Sequence, residues 1–204
     1  MHYVQPVPQD QLGDLEIFAQ QAYASFGFIP NTILTMAHRP NIARAFLPLV
    51  QSIISGELDP TLRTLIAQVA STAAGCRYCQ AHAAHQAMVA GVDVEKIAAA
   101  WEFDTDPRFT PAERAALRLA RDGAVVPNAV TPPHFEALTM HFAEGAMVEI
   151  VAIIALMGFL NRWNDTMATQ LEEKPQRFAE QHLARHNWSP GKHSADSAHH
   201  VSDE

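Results

Sequence analysis

The sequence predicts an all-α fold of about eight helices. Three observations carry that prediction: apolar residues recur with a period near 3.6, no segment alternates apolar and polar residues with β-branched enrichment, and alanine is abundant. Apolar residues make up 48% of the 204 positions, enough for one compact domain, expected over residues 1–193.

Leu12 to Phe26 gives a first helix, ended by "GFIPN", and His38 to Ile54 a second, with Pro48 a site for a kink. Asp59 followed by Pro60 reads as an N-cap with proline at the first helical position. Gly75 suits the end of that helix, and Cys76 begins the next, which Gly91 closes. Asp93 to Trp101 makes a short helix. Thr110-Pro111-Ala112-Glu113 has the form of a capping box opening a helix through Arg121, and Thr131-Pro132 starts another. Glu144 to Thr169 is the longest and Pro175 to His186 the last. The tail 194–204, "SADSAHHVSDE", lacks apolar anchors and is expected to be disordered; His199 and His200 lie in it.

A shift of 85 residues lays "TLIAQVASTAAGCRYC" over "EIVAIIALMGFLNRWN", matching Ala67 with Ala152, Ala70 with Ala155 and Arg77 with Arg162. This is a weak internal duplication of a helical hairpin in which the first copy alone carries thiols.

A formal charge of −8 argues against nucleic acid and anionic membrane as partners, because phosphate affinity rests on clustered Lys and Arg. The start of the chain has no basic segment leading into an apolar one, so the expected location is the cytoplasm. The most apolar run, Ile150 to Leu160, is short of the roughly 20 residues that span a bilayer and reads as a buried helix.

The chemistry concentrates in "GCRYCQAHAAH", residues 75–85, which holds both cysteines and two of the eleven histidines. In a reducing compartment a close cysteine pair more often does redox or metal chemistry than structural work. On a helix, Cys76, Cys79, His82 and His85 each step by roughly −60° from the one before, so neighbours share a face. Two thiols at i and i+3 can meet and close a disulfide after modest backbone adjustment. A cysteine in the first turn is favoured as thiolate by unpaired amide N–H groups, and His82 can take the proton of Cys79. A thiolate attacks the O–O bond of a peroxide, and a neighbouring thiol converts the resulting sulfenic acid to a disulfide.

Zinc is the weaker alternative, because one unbroken helix cannot easily surround an ion with four ligands. Haem attachment is excluded by Gln80, which stands where the motif needs histidine. Ordinary packing in an alanine-rich helix is the remaining reading. Neither cofactor nor metal is expected.

In order along the chain, "GFIPNTILTMAHRPNIARAF", "LRTLIAQVASTAAGCRYCQAH", "FTPAERAALRLA", "EIVAIIALMGFLNRWNDTM" and "NWSPGKH" resemble the carboxymuconolactone decarboxylase and alkylhydroperoxidase (AhpD-like) superfamily, especially its peroxidase-related branch. The resemblance implies an all-helical fold, homo-oligomers such as trimers or hexamers, and a thiol peroxidase. It implies that Cys79 attacks the hydroperoxide, Cys76 resolves and His82 assists proton transfer, with electrons returned by a dithiol carrier such as a thioredoxin-like or lipoyl protein. A decarboxylase-type lyase and a non-enzymatic redox sensor are the alternatives.

Two positions depart from the family pattern. Histidine is expected four residues after the second cysteine, where Ala83 stands, with His82 one residue earlier. A relay glutamate is expected twelve residues before the first cysteine, and that position is Thr64. A hydroxyl passes a proton but is no carboxylate base near neutral pH. Glu149 and His85 are the candidates to compensate, although a lone acid on an apolar helix reads first as a cap or as the partner of a base such as Arg162. Tyr78 and Trp163 read as packing residues.

Overall fold

A computed structural model describes residues 3–194, so the tail expected over 194–204 lies, apart from Ser194, outside the described residues. Ten α-helices and five short 3-10 turns occur among the described residues, with no strand. They are α1 (Glu16–Phe26), α2 (Asn31–Met36), α3 (Pro40–Ile54), α4 (Pro60–Ala73), α5 (Arg77–Val89), α6 (Val94–Ala98), α7 (Pro111–Ala124), α8 (Pro132–Thr139), α9 (Glu144–Met167) and α10 (Glu173–His182).

The punctuation expected from sequence is present. Asp59 caps α4 by accepting from the amides of Thr61 and Leu62, Asp93 does the same for α6, and Thr110 with Glu113 forms the capping box of α7. α2 was not expected from sequence. It is six residues long, too short to show a helical period, and follows Pro30, whose extended backbone opens it.

The main core joins α4, α5, α7 and α9 through side chains such as Leu65, Ile66, Leu117 and Ile150, all inaccessible to solvent. Each contributes about 1.5–3 kcal/mol by leaving water. A second cluster packs Leu15, Leu34, Met36 and Phe46 of the N-terminal segment against Leu156 of α9. α9 is 24 residues long and apolar enough, by length and composition, to cross a membrane. Here it lies along α4, α5 and α7 with Ile150, Ile153, Asn161 and Asn164 buried.

The duplicated segments differ at one point. α4 ends at Gly75, whose φ of +78° turns the chain into α5, whereas α9 runs unbroken through Leu160, the position 85 residues later. The resemblance therefore holds between helices rather than between two complete hairpins.

Candidate active site

The α4–α5 junction places the thiols. Gly75 donates its amide to Thr72 O at 3.1 Å and Cys76 donates its own to Ser71 O at 3.2 Å, the paired bonds that close a helix over a left-handed residue. Cys76 thus finishes α4 and also serves as N-cap of α5, where its Sγ accepts the Cys79 amide N–H at 3.5 Å. Both thiols are free and buried, with 1% and 3% of their surfaces exposed.

The two thiols differ in acidity. A hydrogen bond from the Cys79 thiol holds Cys76 below the ordinary thiol value, against the cost of burial, and the Cys79 amide adds to the effect. Burial pushes Cys79 well up, and the bond to Cys76 raises it further; only the Asn164 side chain, donating Nδ2–H to Cys79 Sγ at 3.4 Å, works the other way. Thr32 of α2 fixes that amide by donating to Asn164 Oδ1 at 2.6 Å. Asn164 lies 85 residues after Cys79, so the duplicated segments meet at this contact.

His82 of α5 pairs with Glu172, just before α10, with Nε2 2.5 Å from Oε2. The other carboxylate oxygen accepts from the Asn31 amide at 2.5 Å and from the Tyr78 hydroxyl at 2.9 Å. Burial penalises the Glu172 charge, but His82 and the Asn31 amide outweigh it and leave the carboxyl below its ordinary value. Tyr78 is pushed well up by burial and by the Glu172 charge, so it remains a phenol that donates. The Tyr78 ring stacks on His82 at 4.3 Å between centroids, and Phe28 meets His82 edge-on at 5.6 Å.

The C-terminal "NWSPGKH" segment closes the opposite side. Trp188 donates its indole N–H to Arg77 O at 3.3 Å, and the Leu171 amide donates to His193 O at 2.9 Å, which seats His193 beside Tyr78. Cys76 Sγ, an Asp165 carboxylate oxygen and a His193 ring nitrogen all lie within 4.8 Å of one another. Among the described residues this is the cluster with metal-competent donor types.

Of the residues singled out by sequence, Cys76 and Cys79 meet at the start of α5, and His82, one turn further along, stacks on Tyr78 and pairs with Glu172. Thr64 does not join them; its hydroxyl donates to Thr61 O at 2.8 Å on its own helix. Glu149 is structural: its carboxylate accepts the amides of Glu57 and Leu58 at 3.0 Å and lies 4.0 Å from Arg63, rather than pairing with Arg162. A Cβ at Gly56 would displace that carboxyl. His85 is buried between Phe28 and Phe178 and is held below its ordinary value by burial and by His82. Glu172, Asn164, Asp165 and His193 carry no assigned role from sequence, because each meets the α5 residues across 85 or more positions, and the segments holding Asn164, Asp165 and His193 show resemblance without showing that contact.

An open apolar groove of about 1010 Å³ along α9, lined by Val126, Val151, Phe159 and Trp163 among others, contains neither thiol. His82 and Glu172 also lie outside this groove.

Residues 40–122, which include both thiols and His82, match the carboxymuconolactone decarboxylase family. A solved structure of the debrominase Bmp8, a cysteine-to-alanine variant in complex with 2,3,4-tribromopyrrole, is 37% identical, covers 89% of this chain and 97% of its own, and superposes with a TM-score of 0.84. The chain belongs to the carboxymuconolactone decarboxylase and AhpD-like superfamily. An alkylhydroperoxidase AhpD core structure, an uncharacterised peroxidase-related protein from Ralstonia eutropha JMP134, is 25% identical over 88% of this chain and 97% of its own, with a TM-score of 0.75. The uncharacterised protein YnjA of Escherichia coli (strain K12) is 27% identical over 110 residues, 54% of this chain. The match spans 60% of that curated relative's length. Enzymes of this superfamily carry names for decarboxylation, peroxide reduction and debromination, and this member keeps the two-thiol centre.

Proposed function

We propose that this protein is a dithiol oxidoreductase that reduces hydroperoxides, with Cys76 and Cys79 supplying two electrons as they become a disulfide. The observation that carries the reading is the pair of free, buried thiols at the N-terminus of α5, where Cys76 Sγ accepts the Cys79 amide N–H at 3.5 Å, one helical turn before the His82–Glu172 pair. The thiolate attacks the outer peroxide oxygen, the O–O bond breaks, and the leaving alkoxide takes a proton through His82. The second thiol then attacks the sulfenic sulfur, forming the S–S bond and releasing water.

The proton distribution supports Cys76 as the attacking thiolate and Cys79 as the resolving thiol, the reverse of the order the family resemblance implies. Glu172 supplies, from a different element, the carboxylate that Thr64 cannot. A thioredoxin-like or lipoyl dithiol would regenerate the thiols. A homo-oligomer is supported by exposed apolar residues on α9, Val148 at 69% and Phe159 at 43%, and light scattering of the purified protein tests it.

A second reading has its own support. The debrominase relationship and the Phe28, Tyr78 and Phe178 rings around the histidines fit a halogenated aromatic as oxidant, reduced from C–Br to C–H with release of bromide. One experiment separates the two. The reduced protein is mixed with one equivalent of cumene hydroperoxide or of 2,3,4-tribromopyrrole, and thiols, alcohol and bromide are counted. Loss of both thiols with one cumyl alcohol supports the peroxidase; loss only with the bromopyrrole, with one bromide released, supports dehalogenation. Thiols that survive both would overturn the dithiol reading.

A further inference from the structure

We propose that His193 is the base that takes the proton of the Cys76 thiol, and that Asp165 positions the resulting imidazolium, making Cys76, His193 and Asp165 an acid–base centre separate from His82 and Glu172. The proposal rests on the dithiol reading and adds the route by which the first proton leaves.

The geometry fixes the tautomer. His193 Nδ1 lies 2.7 Å from the carbonyl oxygen of Thr169, which can only accept, so Nδ1 carries the hydrogen. The neutral ring then presents a lone pair at Nε2. That nitrogen is buried in a side chain with 1% of its surface exposed and has no hydrogen-bond partner, yet it lies 3.5 Å from Asp165 Oδ1. Two acceptors facing one another at that distance lack a proton between them. Cys76, whose sulfur completes the group within 4.8 Å, carries one when protonated.

The step balances. The Cys76 S–H bond breaks, an N–H bond forms at Nε2, and the electron pair stays on sulfur as a thiolate. The new N–H faces Asp165, whose other oxygen is 3.0 Å from Lys192 Nζ. Burial, the largest influence, keeps free His193 below its ordinary value, so at neutral pH it is unprotonated and able to accept. The charged and titratable groups facing the ring are Asp165 of α9, Lys192 beside it, Cys76 at the start of α5 and Tyr78 within it. Because Asp165 is half exposed, the proton has a path to water.

The test is made in Cys79→Ser protein, which holds Cys76 as its single thiol, and follows the pH dependence of iodoacetamide alkylation. His193→Gln is expected to move the profile to higher pH and to slow alkylation at pH 7 by about tenfold, one pKa unit. Asp165→Asn should give a smaller shift in the same direction. Full rates should return above the shifted midpoint, which a purely structural role would not produce. An unchanged profile in folded His193→Gln would overturn the proposal. So would stoichiometric zinc in the purified protein that is lost in His193→Gln, since the ring would then be a ligand. If that variant does not fold, NMR titration of the His193 ring in Cys79→Ser protein decides: a ring signal that shifts with the Cys76 thiolate absorbance supports the proposal, and one that does not contradicts it. Failure here leaves the thiol count with cumene hydroperoxide untouched, and failure there leaves the alkylation profile readable.

Discussion

Cys76 and Cys79 stand one helical turn apart, and their surroundings differ in kind. Cys76 sits at the seam between two helices, where an amide N–H points at its sulfur and an ionisable carboxylate and imidazole lie close by. Cys79, in the first turn of α5, is buried as well, and the amide that reaches its sulfur comes from the Asn164 side chain. The difference teaches how one turn of helix sets two thiols apart in acidity. The end of α5 stabilises the thiolate, and the low-dielectric interior retains the thiol.

The harshest way to break this comparison is to remove either sulfur. Cys76→Ser and Cys79→Ser should each lower peroxide turnover by about a hundredfold or more, because neither alone can reach the disulfide. Only Cys79→Ser should retain a thiol that iodoacetamide alkylates rapidly at neutral pH. Equal alkylation rates in the two variants would erase the asymmetry.

Glu172 comes next, since it binds α2, α5 and the α10 approach through one buried carboxylate. Glu172→Gln should cost about 3 kcal/mol in denaturant unfolding, the usual loss when a buried pair is broken from one side. The pH sign follows from its depressed value. The ionised carboxyl stabilises the fold above its ordinary value near 4.5 and loses that contribution as pH falls through the folded value. Wild type should therefore lose stability below about pH 4.5 more steeply than Glu172→Gln, as acid unfolding followed by circular dichroism would report.

Asn164→Ala sharpens the contrast by removing the one donor that offsets the burial of Cys79. Stability should fall by about 1–2 kcal/mol, with Thr32 left unpaired, and the Cys79 thiol should titrate still higher in Cys76→Ser protein. Glu149→Gln is the smallest change and the control. It should cost about 1 kcal/mol by weakening the strap on Glu57 and Leu58 while leaving the alkylation profile of Cys76 where it was. A shifted profile would mean that Glu149 reaches the thiols after all.

Much of the fold was legible in the sequence because local chemistry dictates it. Asp59-Pro60, the box at Thr110 and the glycines at 75 and 91 act on their immediate neighbours. The thiols and His82 were legible for the same reason, being spaced along one helix. What escaped is what the chain brings together from afar. Glu172 reaches His82 across 90 residues, and Thr32 reaches Asn164 across 132 from a helix too short to declare itself. The family pattern and the duplication point to positions 64 and 149 for a carboxylate, whereas the carboxylate that meets His82 is Glu172.

The most direct measurement is site-resolved alkylation of the reduced wild-type protein with limiting iodoacetamide at pH 7, followed by peptide mass mapping of Cys76 and Cys79. Label appearing first on Cys76 is the expected result, since its thiol is held below the ordinary value while that of Cys79 is pushed up. Label appearing first on Cys79 would contradict the difference in acidity on which the proposed chemistry rests.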